Sequence, residues 1–474
     1  MPSAPVAESR RAGHGLVRDA RRLLPLAWPL LVGQLAVLAF ATIDTVVVGR
    51  HAPQDLAAYA VGAAAYITIF IGLMGTVLGL SPLVGQLYGA GRLGTAGDQL
   101  HQGVWLALLL ALPGCGLLLF PQPFLWIARA SPELAGGVRG YLLALALALP
   151  PALLFTVFRA FNNAVSRPKA VMALQLGGLV VKAPLTVLLV GGAPALGLPS
   201  LGVTGAGLGT AAAMSVQLLG ALWLLRRDRF YERFELWGRG LHRPDGRVLW
   251  AQARLGLPIG SAILIEVSGF AFMALFIARL GPTAVAGHQL VMNLVSLMFM
   301  LPLSLANATT TLVAQRIGAG DLQDARRLGW HGLQLGCGVS AALALGVWLA
   351  REPVLGLYTG DAAVLAAALP LLAWLVPFHI ADAVQTLVAF TLRAWRVAAW
   401  PMFIYAGALW GVGLGLGQHL AFSAPGSTPE ALRGAPGFWV AATAGLVLAS
   451  LALLGLKAWV LRHPERVVQA RSRR

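Results

Sequence analysis

Apolar runs of roughly 18 to 25 residues recur along the chain from Leu23 to the neighbourhood of Leu461, and each is long enough to cross a bilayer as a helix. Short polar or Gly/Pro-rich stretches separate them. Inside hydrocarbon a chain must satisfy its own backbone hydrogen bonds, which a helix does. In the first half the runs begin near Leu23, Leu56, Leu100, Val138, Ala170 and Val203; in the second, near Leu249, Ala284, Leu328, Val364, Ala398 and Pro436. The pattern predicts an all-α integral membrane protein with twelve transmembrane helices. Composition leaves no soluble alternative: 58% of the 474 residues are hydrophobic and 11% charged, against about 25% charged in soluble domains. A soluble enzyme, a nucleic-acid-binding protein and a disordered chain are excluded.

The formal net charge of +17 is topological. Lys and Arg gather at alternate junctions: in the N-terminal tail (Arg10, Arg11, Arg18, Arg21, Arg22), after the second, fourth, sixth, eighth and tenth runs, and at the C-terminal end, where Lys457 is counted with the tail's Arg462, Arg466, Arg471, Arg473 and Arg474. These junctions hold 28 of them against 6 at the others (Arg50, Arg129, Arg139, Arg279, Arg351, Arg433). Cytoplasmic loops retain basic residues, so both termini are expected in the cytoplasm of a multi-pass inner or plasma membrane protein. The start, Met1 to Gly15, is polar and basic and reads as an uncleaved tail rather than a signal peptide. Cys115 and Cys337 each fall in an apolar run and read as small buried hydrophobes.

An internal repeat divides the chain. A shift of 229 positions aligns Pro29 with Pro258, Arg50 with Arg279, Gln86 with Gln315, and Gly89, Ala90 and Gly91 with Gly318, Ala319 and Gly320. Six spans per copy make the repeat parallel, an architecture of secondary transporters with the substrate path between the halves. The expected organisation is a cytoplasmic tail (1–22), a six-helix lobe (23–227), a cytoplasmic linker (228–247), a second six-helix lobe (248–461) and a basic tail (462–474).

Three acidic residues fall well inside apolar runs: Asp44 in the first, Glu266 in the seventh and Asp382 in the tenth. A charge at mid-membrane costs about 2.5–3.5 kcal/mol even on the lenient insertion scale, so such groups normally face a cavity and mark ion or proton pathways. Lys182 in the fifth run is the one basic residue read as intramembrane, and an Asp44–Lys182 pair is either functional or a static staple. Helical spacing puts Gln289, Asn293, Ser296, Met300, Ser304 and Asn307 on one stripe of the eighth span. It likewise aligns His379, Asp382 and Gln385 in the tenth, and Gln175, Lys182 and Thr186 in the fifth. Gln289, Asn293, Gln385, Gln34, Met273 and Phe270 are the candidate cavity-lining residues, set among Phe272, Phe276, Met298, Phe299 and Phe378. Such a wall could serve flat lipophilic cations, but packing and lipid contact are the commoner use of such side chains and the expected one for most of them.

These residues resemble the multidrug and toxic compound extrusion (MATE) transporters, in particular their NorM-like bacterial branch, over essentially the whole chain. The likeness is carried by Pro29 with Asp44, Thr45 and Gly49, by Pro82 to Arg92, by Pro194 to Thr210, and most strongly by Glu266 to Gly320. Ala381-Asp382-Ala383, Leu392-Arg393 and Gly437-Phe438-Trp439 continue it. The resemblance implies an antiporter that exports cationic amphipathic compounds against an inward flow of H+ or Na+ by rocking two lobes. It implies cation coupling, with any Na+, at Glu266 and Asp382, and a further site at Asp44. The chain departs from the pattern in its fifth helix, where Lys182 and Thr186 stand at positions commonly Asn or Asp, and at Trp395 to Ala399.

The expected function is therefore cation-coupled drug export by a monomer with small cationic substrates and membrane lipid as partners, no nucleic acid, and no cofactor beyond the coupling ion. A lipid or lipid-linked oligosaccharide flippase of related architecture would need a basic cavity. An intramembrane enzyme would need a metal or nucleophile constellation that the spans do not offer.

Overall fold

The computed structural model describes residues 12–127, 131–193, 197–237, 240–423 and 429–463; Arg10, Arg11, Arg129, Arg239 and the basic tail beyond 463 lie outside them. Among the described residues, twelve helices are long and apolar enough to cross a membrane: Gly15–His51, Pro53–Gly89, Leu93–Leu119, Pro132–Ala164, Pro168–Gly191, Gly202–Arg227, Gly246–Ala278, Pro282–Gly318, Leu322–Leu349, Leu375–Ala394, Ala399–Phe422 and Ala435–Arg462. They are the first to twelfth spans below. Five open with proline in their first two positions, Pro53, Pro132, Pro168, Pro282 and Pro436. There the fixed φ favours the helix and the missing N–H costs nothing.

The repeat extends to helix ends. The second span ends before Gly91 (φ 71°) and the eighth before Gly320 (φ 79°), 229 positions apart, both left-handed. In each case the next residue turns its N–H back into the helix, Arg92 to the Leu87 carbonyl and Asp321 to that of Arg316, both at 3.0 Å. Only glycine adopts this conformation without steric cost.

Two expectations are corrected. The apolar run from Val364 is not the start of the tenth span: Ala362–Leu372 is a separate short helix, and the span begins at Leu375. Pro377 explains the break, since it cannot donate to the carbonyl of Ala373. Lys457, tallied with the tail, lies inside the twelfth span and is fully buried. Its ammonium donates to the Gly329 carbonyl at 2.8 Å and sits 4.4 Å from the Trp330 ring centroid. Lys182 is therefore not the sole cation buried within the spans.

The chain forms two compact units. In one, residues 32–268 and 396–406, the fourth span is the central post, packed by the second, third and sixth around Leu142, Leu149, Phe158 and Phe161. In the other, residues 1–31, 269–395 and 407–474, the tenth span takes that place among the eighth, ninth and twelfth. The two posts are repeat-related. The sequence boundaries 23–227 and 248–461 follow chain order, whereas contacts assign the start of the first span to the unit built mainly from the second half, and the start of the seventh to the other. The eleventh span changes unit at Ala406, where its winding widens to a π-helix over Ala406–Leu414.

Particular residues account for this exchange. Asp19, fully buried, accepts from His331 Nδ1 at 2.6 Å and from Arg22 and Arg327 at 3.2 Å, and Arg22 reaches Asp324 at 3.3 Å. At the related end of the seventh span, Gln252 Nε2 donates to the backbone and side-chain oxygens of Gln99 in the third, both at 2.9 Å. Beyond it Gly256 and Gly260 press on the second span: a Cβ on Gly256 would fall 1.8 Å from the Thr76 carbonyl oxygen, and one on Gly260 2.5 Å from that of Gly72. Small residues permit such backbone approach between membrane helices.

The linker is anchored. Its 3₁₀ turn, Arg229–Phe234, buries Tyr231 and Phe234 completely, with the Tyr231 hydroxyl donating to Asn162 Oδ1 at 2.5 Å. Burial pushes Tyr231 up to about 12. Asp228 caps the turn: the Phe230 N–H, then the Arg167 guanidinium, hold its carboxyl below the usual carboxylate range. Gly97 leaves room for the Phe234 carbonyl, which a Cβ would meet at 2.0 Å.

Candidate functional site

The polar stripe of the fifth span turns toward the first. Gln175 packs where Gly33 has no side chain, a Cβ there falling 2.2 Å from Gln175 Oε1. Two turns on, Lys182 Nζ lies 2.9 Å from Asp44 Oδ2 and 2.8 Å from Oδ1, and donates to Thr210 Oγ1 of the sixth span at 2.5 Å. Lys182 is fully buried and Asp44 nearly so (5% exposed). Phe40 flanks the ammonium at 5.4 Å from its ring centroid. Thr186 is also buried, beside Gly209, and its hydroxyl has no hydrogen-bond partner among the described residues. A carboxylate and an ammonium inside an apolar bundle are tolerable because each neutralises the other, and losing either would strand a charge.

In the second half Asp382 is 5% exposed, and its Oδ1 accepts from Gln385 Nε2 at 2.9 Å, one helical turn away. Gln385 also reaches Thr386 Oγ1 at 3.2 Å. His379, one turn the other way on the same face, is fully buried with neither ring nitrogen hydrogen-bonded among the described residues. His288 is more ordinary, accepting on Nδ1 from Trp439 Nε1 at 3.3 Å. Glu266 is half-buried within the seventh span, two residues before that helix changes unit.

The proposed lining residues separate. Gln289 and Asn293 are exposed, with Asn293 accepting from the Tyr358 hydroxyl at 3.3 Å, and Gln34 and Phe270 are half-buried. Met273 and Gln385 are buried. The aromatic side chains pack in pairs: Phe270 with Phe378 at 6.0 Å, Phe378 with Trp439 at 5.1 Å, Phe276 with Phe438 at 6.0 Å and Phe272 with Trp410 at 5.9 Å. Thr210, the second acceptor for Lys182, was not singled out by sequence. Its signal is the glycine pair Gly205 and Gly209, which lets the fifth and sixth spans close on each other, while Gly207 between them faces Tyr141 and Ala144 of the fourth.

The family model described as MatE matches residues 29–188 and 258–417, two segments set 229 positions apart, the spacing of the internal repeat. The chain belongs to the MatE family. A probable multidrug resistance protein NorM of Aromatoleum aromaticum is 41% identical to this MatE chain over 465 residues, 98% of the chain and 99% of that relative. Multidrug resistance protein PmpM of Pseudomonas aeruginosa is 34% identical over 436 residues, 92% and 90% of the two. Among solved structures, the eukaryotic MATE transporter AtDTX14 matches with a TM-score of 0.84 at 19% identity, covering 97% and 99% of the two chains. The Vibrio cholerae MATE transporter VcmN in its bent form matches at 0.77 and 19%, covering 96% and 99%. At such identities the structural likeness speaks for the fold. A MatE chain of this kind is a multi-pass membrane transporter and not an enzyme.

Proposed function

We propose that the chain is a cation-coupled antiporter of the inner membrane that exports cationic, amphipathic compounds. It works as a single chain, with H+ or Na+ as the driving ion and Glu266, Asp382 and Asp44 as the coupling carboxylates. Two acids buried in apolar helices carry this reading: Asp44 in the first half and Asp382 in the second, each 5% exposed. Such groups hold a proton or a cation more readily than a bare charge, and release of one favours binding of the other by linkage. The relatives' names, multidrug resistance proteins, support the cargo class. A flippase for acidic headgroups is disfavoured because Lys182 is neutralised by Asp44 and Lys457 is turned onto a carbonyl and an indole. In everted membrane vesicles, export of a cationic dye is expected to accelerate under an imposed pH gradient, a Na+ gradient, or both, set up separately. Dye movement indifferent to both gradients would eliminate the antiport.

The charge asymmetry orients the protein. A reporter active only in the cytoplasm is expected to work when fused after Arg474 or within 233–247 and to stay silent within 423–434, loops that differ in basic content. The inverse pattern would require the whole bundle to be turned over.

A further inference from the structure

The acceptors around Lys182 are those a small hard cation would take: both carboxylate oxygens of Asp44 and the hydroxyl of Thr210. Hard cations are bound by oxygens of these kinds. The ammonium occupies that seat on a four-carbon tether, fully buried, with Phe40 closing one flank. A second cation entering beside it would meet like charge in a poorly screened setting.

We infer that Lys182 is the specificity-determining residue of the first-half site: a built-in cation that closes Asp44 to Na+ and to cationic cargo and leaves the proton as the one ion the site exchanges. A proton does not compete for the ammonium's seat, because it adds to a carboxylate oxygen. Asp44 Oδ1 lies 2.8 Å from the ammonium yet receives no well-aligned hydrogen bond among the described residues. The other titratable groups near Asp44 are Tyr59 of the second span and Tyr141 of the fourth, in edge-to-face contact at 5.5 Å, while the sixth span presents the Thr210 hydroxyl. With the carboxylate ionised the pair is neutral. With Asp44 protonated it carries one positive charge, held where it repels a cationic cargo. This rests on the antiport reading and gives it a mechanism in the first half: coupling by repulsion rather than by competition for the carboxylate.

The experiment needs no transport. Purified full-length protein is unfolded thermally in detergent with NaCl or choline chloride at equal ionic strength, and 22Na+ binding is measured in parallel. Wild type, Lys182→Asn, Lys182→Arg, Asp44→Asn and the Asp44→Asn/Lys182→Asn double variant are compared. Lys182→Asn is expected to bind one Na+ more per chain than wild type and to gain a Na+-dependent rise in Tm, since a ligand that binds only the folded state stabilises it. Lys182→Arg and the double variant are expected to show neither gain. Any response of the second-half site is common to all and cancels. A folded Lys182→Asn variant without extra Na+ overturns the proposal. So does a Lys182→Asn variant that Na+ cannot rescue while the double variant folds. If the Na+ gain appears but vesicles show no ion-driven dye export, the role of Lys182 stands and the antiport falls; the reverse result removes Lys182 alone.

Discussion

Asp382→Asn and Glu266→Gln are each expected to reduce gradient-driven dye export on the order of tenfold or more while the protein still reaches the membrane. A coupling free energy between two ligands is typically about 1–3 kcal/mol, or roughly 5–150-fold in affinity, and it disappears when the group both ligands address can no longer carry charge. Asp382 is the stricter case, because its carboxylate is buried and Gln385 is already oriented on Oδ1. Asparagine keeps the shape and can still engage Gln385, so folding is expected to survive. Quantitative immunoblots of membranes separate loss of protein from loss of transport. If both variants move dye at wild-type rates under the same gradients, these acids hold helices together and coupling lies elsewhere.

The second large effect concerns assembly. Gly256→Ala is expected to lower the Tm in detergent and the yield of folded protein, because the added methyl would stand 1.8 Å from the Thr76 carbonyl oxygen and two helix backbones would have to separate. Overpacking commonly costs about 1–3 kcal/mol and more where backbone rather than a flexible side chain must give way. Gly116→Ala in the third span is the control: nothing lies within 4 Å of its Cβ position, and alanine favours a helix over glycine by roughly 1 kcal/mol. The control is expected to equal or exceed wild type in Tm. Equal stability of both variants would mean that the contact between the second and seventh spans is not close in the membrane.

Hydropathy and self-similarity made most of the architecture legible, because membrane helices must be long and apolar and a duplicated half keeps its glycines where the backbone needs them. Gly91 and Gly320 could be paired by the 229-residue shift before their shared left-handed conformation was seen. The onset of the tenth span was misplaced because Val364 to Leu372 is as apolar as a span, and hydropathy does not register a missing backbone donor at Pro377. Lys457 was assigned to the tail because a lysine near a helix end usually reaches for water; here it turns inward to the Gly329 carbonyl. The Asp44–Lys182 pair was legible because both charges stand out in apolar runs. Thr210 was not, since a threonine in a membrane helix ordinarily bonds its own backbone, as this one also does at Ala206. His379 showed only as one polar position of a stripe. That its ring nitrogens are buried without a hydrogen-bond partner among the described residues is a property of the packed bundle.

The exchange of helix ends also sets an order for biosynthesis. Arg22 and Asp19 meet their partners Asp324 and His331 only 302 and 312 residues later in the chain. At about 5–20 residues per second of translation, the start of the first helix emerges tens of seconds before the segment that neutralises it. The seventh helix emerges to find the glycines of the second and Gln99 of the third already made. A nascent chain halted after its sixth helix would hold a complete Asp44–Lys182 pair while Asp19 awaited His331 and Arg327. The first helix is therefore made at the very beginning but receives the partners of its buried Asp19 from the ninth only once three quarters of the helices have been synthesised.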